Sequence, residues 1–232
     1  MAGAGRTGRD RWIWFMAPLW VLALYLNFIW TPDDRMLLSS QRIFYFHMGA
    51  ATAGGLAYLV TFVASLAYLR TRTPRWDIVA AASAEVGTVL TTMILVSGIL
   101  WGRAAWGVWW TWDPRLTTTV ILWVLFVGYL LLRDWTDNPE RRGVYSAVLA
   151  VVAFFMVPID YLSVRWWNSI HPVVITSQGI AMPPRMVVAM FVSMAAFLYL
   201  YAAWMTVRVR LLKAEQGLEA VREQLRRGLE PL

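Results

Sequence analysis

Cysteine is absent from this 232-residue chain. Disulfides, thiolate metal sites and covalent porphyrin attachment through a C-x-x-C-H sequence are therefore excluded. Lysine occurs once, at Lys213, and histidine twice, at His47 and His171. No G-x-x-x-x-G-K-[ST] sequence is present, so there is no phosphate-cradling loop of that type, and no Gly-rich dinucleotide fingerprint either. Any ATP hydrolysis is left to a partner. Two histidines do not allow a Ser–His–acid arrangement to be argued. With no acid–base pair to mark a catalytic step, the chain reads as an assembly factor rather than an enzyme. Charge is also scarce, at 15% of residues, where a soluble domain carries roughly a quarter.

What replaces charge is hydrophobicity, 59% of the chain, arranged in long blocks. Six blocks stand out, near Trp12–Trp30, Ile43–Leu69, Ile78–Leu100, Leu116–Leu132, Val144–Tyr161 and Met186–Val207. Each reaches across a hydrocarbon core of roughly 30 Å at about 1.5 Å per residue. Spans that must satisfy their own backbone hydrogen bonds in lipid are helices by default. The fold expected is an all-α integral membrane protein of six transmembrane helices. Pro18 and Pro158 lie inside spans and are expected to kink them. The first block is too long for a signal-peptide h-region and no small-residue cleavage site follows, so it reads as a retained helix.

The net charge of +7 does not point to nucleic acid, because the basic residues flank the apolar blocks instead of forming a stripe. Fifteen of the 21 basic residues fall on one side: Arg6, Arg9 and Arg11; Arg70, Arg72 and Arg75; Arg133, Arg141 and Arg142; and six from Arg208 onward. The positive-inside rule puts that side, with both termini, in the cytoplasm. Residues 1–207 then form the membrane domain and 208–232 a cytoplasmic amphipathic tail. In the tail, Leu218, Val221, Leu225 and Leu229 make one apolar helical stripe, and Glu219–Arg222 and Glu223–Arg227 are spaced to pair. It reads either as a helix lying on the bundle or membrane lipid, or as a docking face for a partner subunit.

The chemically unusual residues fall on the outer side. In the loop Trp101–Arg115, five tryptophans (Trp101, Trp106, Trp109, Trp110 and Trp112) occur within twelve residues. An interfacial aromatic belt accounts for one or two Trp per helix end. A platform for a large planar aromatic ligand accounts for five better. Arg103, Asp113 and Arg115 supply polar groups, and Arg is a natural partner for a ligand carboxylate. His47 opens the second helix and His171 lies in the third outer connection, so the pair can clamp an iron porphyrin from above and below. Met48 is an alternative ligand. Glu85, inside the third span, is read as pairing with a basic loop residue such as Arg75, against a functional alternative. Asp160 needs no special role.

The pattern from Trp101 to Thr117, W-G-x-x-x-W-G-x-W-W-x-W-D-x-R-L-T, resembles the WWD signature of haem-handling proteins in cytochrome c biogenesis. Length and layout resemble the haem exporter protein C members. Arg42–His47 and Ser163–His171 resemble the segments that carry the family's axial histidines. The resemblance implies non-covalent haem b on the periplasmic face of the bacterial inner membrane. His47 and His171 would ligate iron, and Trp106, Trp109, Trp110, Trp112 and Asp113 would shape the loop. Implied partners are a membrane-anchored periplasmic haem chaperone, the ATPase and membrane subunits of an ABC-type complex, and a small single-helix subunit. Met48–Gly49, Pro114 and Pro172 depart from the family pattern and put the local backbone in question. Alternatives are a haem-containing oxidoreductase subunit and a transporter moving haem through the bundle.

Overall fold

The computed structural model describes residues 8–171, 175–176, 179–180 and 182–229. Arg6 and Pro172 lie outside them, and the side chains of Glu223, Arg227 and Leu229 are likewise not described. Among the described residues, six helical spans are long and apolar enough to cross a membrane: Arg11–Trp30, Gln41–Thr71, Pro74–Trp106, Pro114–Trp135, Pro139–Trp166 and Pro184–Arg226. The chain is an all-α membrane protein, as its apolar periodicity predicts.

Local chemistry sets the ends of these helices. A 3-10 segment, Gly8–Phe15, leads into α1 (Met16–Tyr25), which closes in a π turn over Leu26–Trp30. Helix α2 (Gln41–Thr71) stops where Arg72 turns left-handed and its N–H bonds to Tyr68 O. Helix α3 (Pro74–Trp106) restarts with proline at its first turn, where the missing N–H costs nothing. It runs past the expected end at Leu100 and through Gly102, and stops where Gly107 turns left-handed, at φ +76°. Trp101–Trp106 is thus the last turn of a helix, not part of a loop.

Helix α4 (Pro114–Trp135) begins with Asp113 as N-cap and Pro114 at the first position. The proline that departs from the family pattern therefore fits its backbone. The fifth span is split into α5 (Pro139–Phe154) and α6 (Met156–Trp166). Pro158 explains the split, because its ring clashes with the carbonyl four residues back, that of Phe154. Pro18 sits just beyond the 3-10-to-α change at Phe15 for the same reason. Strands β1 (Ile175–Thr176) and β2 (Gly179–Ile180) pair antiparallel in the connection that follows. Helix α7 (Pro184–Leu229) is continuous, with no break at Arg208. Its 46 residues reach about 69 Å, more than twice a hydrocarbon core.

Lipid tails give apolar helices no hydrophobic reason to associate, so close packing and polar contacts hold the bundle. Ala53, Ala57 and Ala84 are fully buried. A Cβ on Gly87 would lie 2.9 Å from the Tyr58 ring. Tyr58 Oη and Thr91 Oγ1 are 2.8 Å apart, and Ser83 Oγ donates to Ala57 O at 2.7 Å while meeting Tyr201 Oη at 2.8 Å. Gly49, the second departure from the family pattern, is where α2 meets α7, since a Cβ there would strike Phe197. Leu26, Phe44, Tyr45, Trp101, Met186 and Met190 form a separate buried cluster at the end that carries the histidines.

Ion pairs close the opposite end. Arg133 grips Asp77 with two hydrogen bonds, at 2.6 and 2.9 Å, tying α4 to α3. Glu85 accepts from Arg208 on α7, not from Arg75, and Arg208 also reaches Glu215 at 3.3 Å.

Candidate functional site

His47 sits on the second turn of α2, facing α3. Its Nδ1 lies 3.0 Å from Ser97 Oγ. Its ring rests over Gly98, where a Cβ would come within 3.3 Å of His47 Cε1. One turn beyond Ser97, Trp101 continues the same helix face, with its ring centre 6.3 Å from that of His47. Trp101 contacts Trp106 at 5.3 Å, and Trp106 meets the edge of His171 at 5.2 Å. Two tryptophans thus bridge the two histidines, which are 124 positions apart in the chain. The Trp101 indole N–H is buried with no hydrogen-bond partner among the described residues.

His171 belongs to the connection after α6 and is held by Asp113. That carboxylate, 8% exposed, collects four donors. Arg115 N donates to Oδ1 at 2.9 Å, Ser169 Oγ to Oδ1 at 3.0 Å and Ile170 N to Oδ2 at 2.9 Å. His171 Nδ1 lies 3.0 Å from Oδ1. Burial pushes the Asp113 carboxyl up, but the N–H of Ile170, the Ser169 hydroxyl and the N–H of Arg115 outweigh it, with help from His171. The net shift is below the ordinary carboxylate value. Burial pushes His171 down, and the Asp113 carboxylate offsets this only in part.

An ionised carboxylate can only accept, so His171 Nδ1 must carry the proton in this contact. The neutral ring then presents Nε2 as a bare lone pair. An imidazole whose Nδ1–H is anchored to a carboxylate is oriented for metal binding and made more basic.

The remaining sequence candidates are arranged differently. The five indoles do not make one flat surface: Trp101 and Trp106 are inclined by 51°, and Trp110 meets Trp112 edge-on at 86°. Trp109 and Trp112 are 59% and 78% exposed. The Arg103 guanidinium lies 5.7 Å from the Trp109 ring and donates to Gly107 O, which steadies the turn after α3. Arg115 is engaged elsewhere, donating to Asp160 O at 2.7 Å with the Asp160 carboxylate 3.7 Å away. Asp160 also accepts from Thr118 and Thr119, both at 2.8 Å. It ties α6 to α4 and is not an idle helix-end residue. A cavity of about 310 Å³ opens between α2, α3, α4 and α6, with His47, Ile94, Arg115, Leu122, Asp160 and Tyr161 on its walls. Met48, the alternative ligand, packs against the buried cluster around Trp101.

Sequence reasoning missed Ser97, Gly98 and Ser169. Each acts on a histidine, and Ser97 stands 50 positions from the one it touches. Their residue types carry no local signal. Asp113 was found, but as a wall of a platform instead of the anchor of His171.

The profile of the Heme exporter protein C family matches residues 7–224. The chain belongs to that family. Among curated members, Heme exporter protein C of Bradyrhizobium diazoefficiens is 36% identical over 153 residues, covering 66% of this chain and 58% of that protein. That of Paracoccus denitrificans is 32% identical over 187 residues, covering 78% and 76%. The Escherichia coli K12 protein is 34% identical over 155 residues, covering 65% and 63%. The matched stretch thus spans less than two thirds of the Bradyrhizobium and Escherichia proteins. The family match runs through all six spans, both histidines and the extension of α7 as far as residue 224.

Proposed function

We propose that this chain binds haem at the outer face of the bacterial inner membrane, between His47 and His171. It presents the haem to a membrane-anchored periplasmic chaperone for cytochrome c maturation. The observation that carries the reading is the pair of imidazoles, each with Nδ1 set against a protein oxygen. An Nε2 lone pair is the usual protein ligand to haem iron. Trp101 and Trp106 line the interval between the two rings. The unpartnered Trp101 N–H is a donor waiting for an acceptor, and leaving it buried unpaired costs about 1–3 kcal/mol. Membership in the Heme exporter protein C family supports the same reading.

Without cysteine the chain has no thioether route to haem, which supports a non-covalent association with haem b as a cargo that must leave. Of the two arginines expected at propionates, Arg103 keeps more free donors, since Arg115 is held by Asp160. The exposed Trp109 and Trp112 give the chaperone an apolar face. The basic end of the bundle lies in the cytoplasm with both termini. The part of α7 beyond Arg208 projects from it with Leu218, Val221 and Leu225 exposed. That stripe suits the ABC-type subunits, which supply the ATPase this sequence lacks, or the small single-helix subunit.

Titration of the detergent-purified full chain with haemin tests the reading. The expected result is saturation at one haem per chain, with the absorption of six-coordinate low-spin iron and complete release into acidic acetone. Uptake without saturation, or haem that resists extraction, overturns it.

A further inference from the structure

We infer that Ser97 is the positioning residue of the first iron ligand: it fixes the tautomer and tilt of His47 so that Nε2 alone is offered to the metal. The inference rests on the haem-binding reading above and deepens it.

A serine hydroxyl has a single proton. Ser97 Oγ lies 2.6 Å from Met93 O and 3.2 Å from Ile94 O, both of which only accept. The proton is therefore committed along α3, in the back-bonded arrangement common for serine in helices. Towards His47, 3.0 Å away, the same oxygen is left as an acceptor. His47 Nδ1 must then be the protonated nitrogen, and in the neutral ring Nε2 is bare.

Gly98 supplies the second constraint. It is the next residue on α3, and its missing side chain lets the His47 ring lie against the helix backbone. Ser97 and Gly98 together form a notch with a polar edge and an open floor, which restrains both the rotation and the tilt of the ring. Trp101, one turn on, closes the outer side. The cavity walled in part by His47 lies between α2, α3, α4 and α6, whereas Ser97 lines a different, lipid-side groove with Trp20, Phe46 and Leu100. The imidazole thus stands between the two, with Nδ1 turned to the serine.

The two ligands are held by the same device with unequal strength. His171 donates to a carboxylate, His47 to a neutral hydroxyl. A charged acceptor makes the stronger hydrogen bond and the more basic imidazole. Removing the hydroxyl leaves the Ile94 carbonyl as the remaining backbone partner of the ring, so the hold on this tautomer is loosened and a proton can reach the nitrogen meant for iron.

The test uses the detergent-purified full chain and its Ser97→Ala, Ser97→Thr, Gly98→Ala and His47→Ala variants, each titrated with haemin and poised through a redox titration. Loss of such an outer partner weakens metal affinity by roughly 10–100-fold. Ser97→Ala is expected at the lower end of that range, about 10-fold, with a raised midpoint potential, because a less basic ligand stabilises ferric iron less. Ser97→Thr keeps the oxygen and restores both values. Gly98→Ala keeps the serine but crowds the ring, and weakens binding in the same direction. Parental affinity and potential in Ser97→Ala, while His47→Ala loses six-coordination, overturn the role of Ser97 alone. A shift in Ser97→Thr equal to that in Ser97→Ala also overturns it, because the oxygen would then not be the cause. A parental spectrum in His47→Ala removes the ligand itself, and the inference falls with the reading beneath it.

Discussion

The two ends of the bundle treat their polar groups in opposite ways. At the basic end the strong charges are paired with one another, Arg133 with Asp77 and Arg208 with Glu85 and Glu215, although Arg142 Nε and Tyr129 Oη have no hydrogen-bond partner among the described residues. At the histidine end the network is closed on one side and open on the other. Asp113 takes four donors and Ser97 is doubly engaged, yet the buried Trp101 N–H has no partner among the described residues. A closed network only joins helices. An open one, set among buried aromatic rings, has bonds to offer a visitor. On the proposed reading, one end serves stability and the other serves binding.

The sharpest break of that contrast is Arg133→Ala. It leaves the Asp77 carboxylate, 12% exposed, without its guanidinium. Losing one partner of a buried pair is expected to destabilise by about 3–5 kcal/mol. Thermal unfolding in detergent reads this, and haemin affinity of the folded fraction stays parental. If affinity falls with stability, the two ends are not separable.

Asp113→Ala comes next and acts on the other end. Haemin binding should weaken by roughly 10–100-fold as His171 loses its anchor. Loss of the N-cap of α4 removes about 1 kcal/mol of stability besides. Asp113→Asn keeps most of the cap but removes the charge, so it should recover stability more than affinity.

Trp101→Phe is smaller and sharper. Deleting the unpaired buried donor removes a cost of about 1–3 kcal/mol, and shrinking a buried ring adds a packing loss of about the same size, so the haem-free protein should stay near parental stability. If that N–H meets the bound ligand, affinity falls by about 1 kcal/mol, roughly fivefold. A loss of haem-free stability with unchanged affinity would make Trp101 a packing residue only.

The least effect is expected for Arg208→Ala. Both side chains of the Glu85 pair are about a third exposed, and water screens such pairs to no more than about 1 kcal/mol. A larger loss in thermal unfolding would mean that the basic end relies on the α7 extension as much as on the membrane bundle.

These contrasts also mark what the sequence could reveal. The six spans were legible because a bilayer demands about 20 apolar residues in a row, and nothing else in the chain mimics that. The splitting of the fifth span was legible in Pro158. Helix ends were less so: α3 was expected to stop near Leu100, but hydropathy falls before the helix does, and only Gly107 turns the backbone. The continuous α7 was hidden for the same reason, since a drop in hydropathy at Arg208 reads as a boundary although the residues there are good helix formers.

At the site, His47, His171 and the tryptophans were found because such residues are rare in combination. Ser97 was not found, and Asp113 was found without its pairing to His171. Ser97 and Asp113 meet histidines 50 and 58 positions away, and contacts across the bundle leave no trace in local periodicity. Glu85 shows the same limit. Its pairing was expected, but with Arg75 from a nearby loop, whereas α7 brings Arg208 from 123 positions away.

The most direct test of the account is electron paramagnetic resonance of the ferric haem-loaded chain beside His47→Ala and His171→Ala. Bis-imidazole ligation predicts a low-spin signal in the parent and its conversion to high-spin, or loss of haem, in each single variant. A low-spin signal that survives either substitution unchanged would contradict the claim that these two residues hold one iron between them.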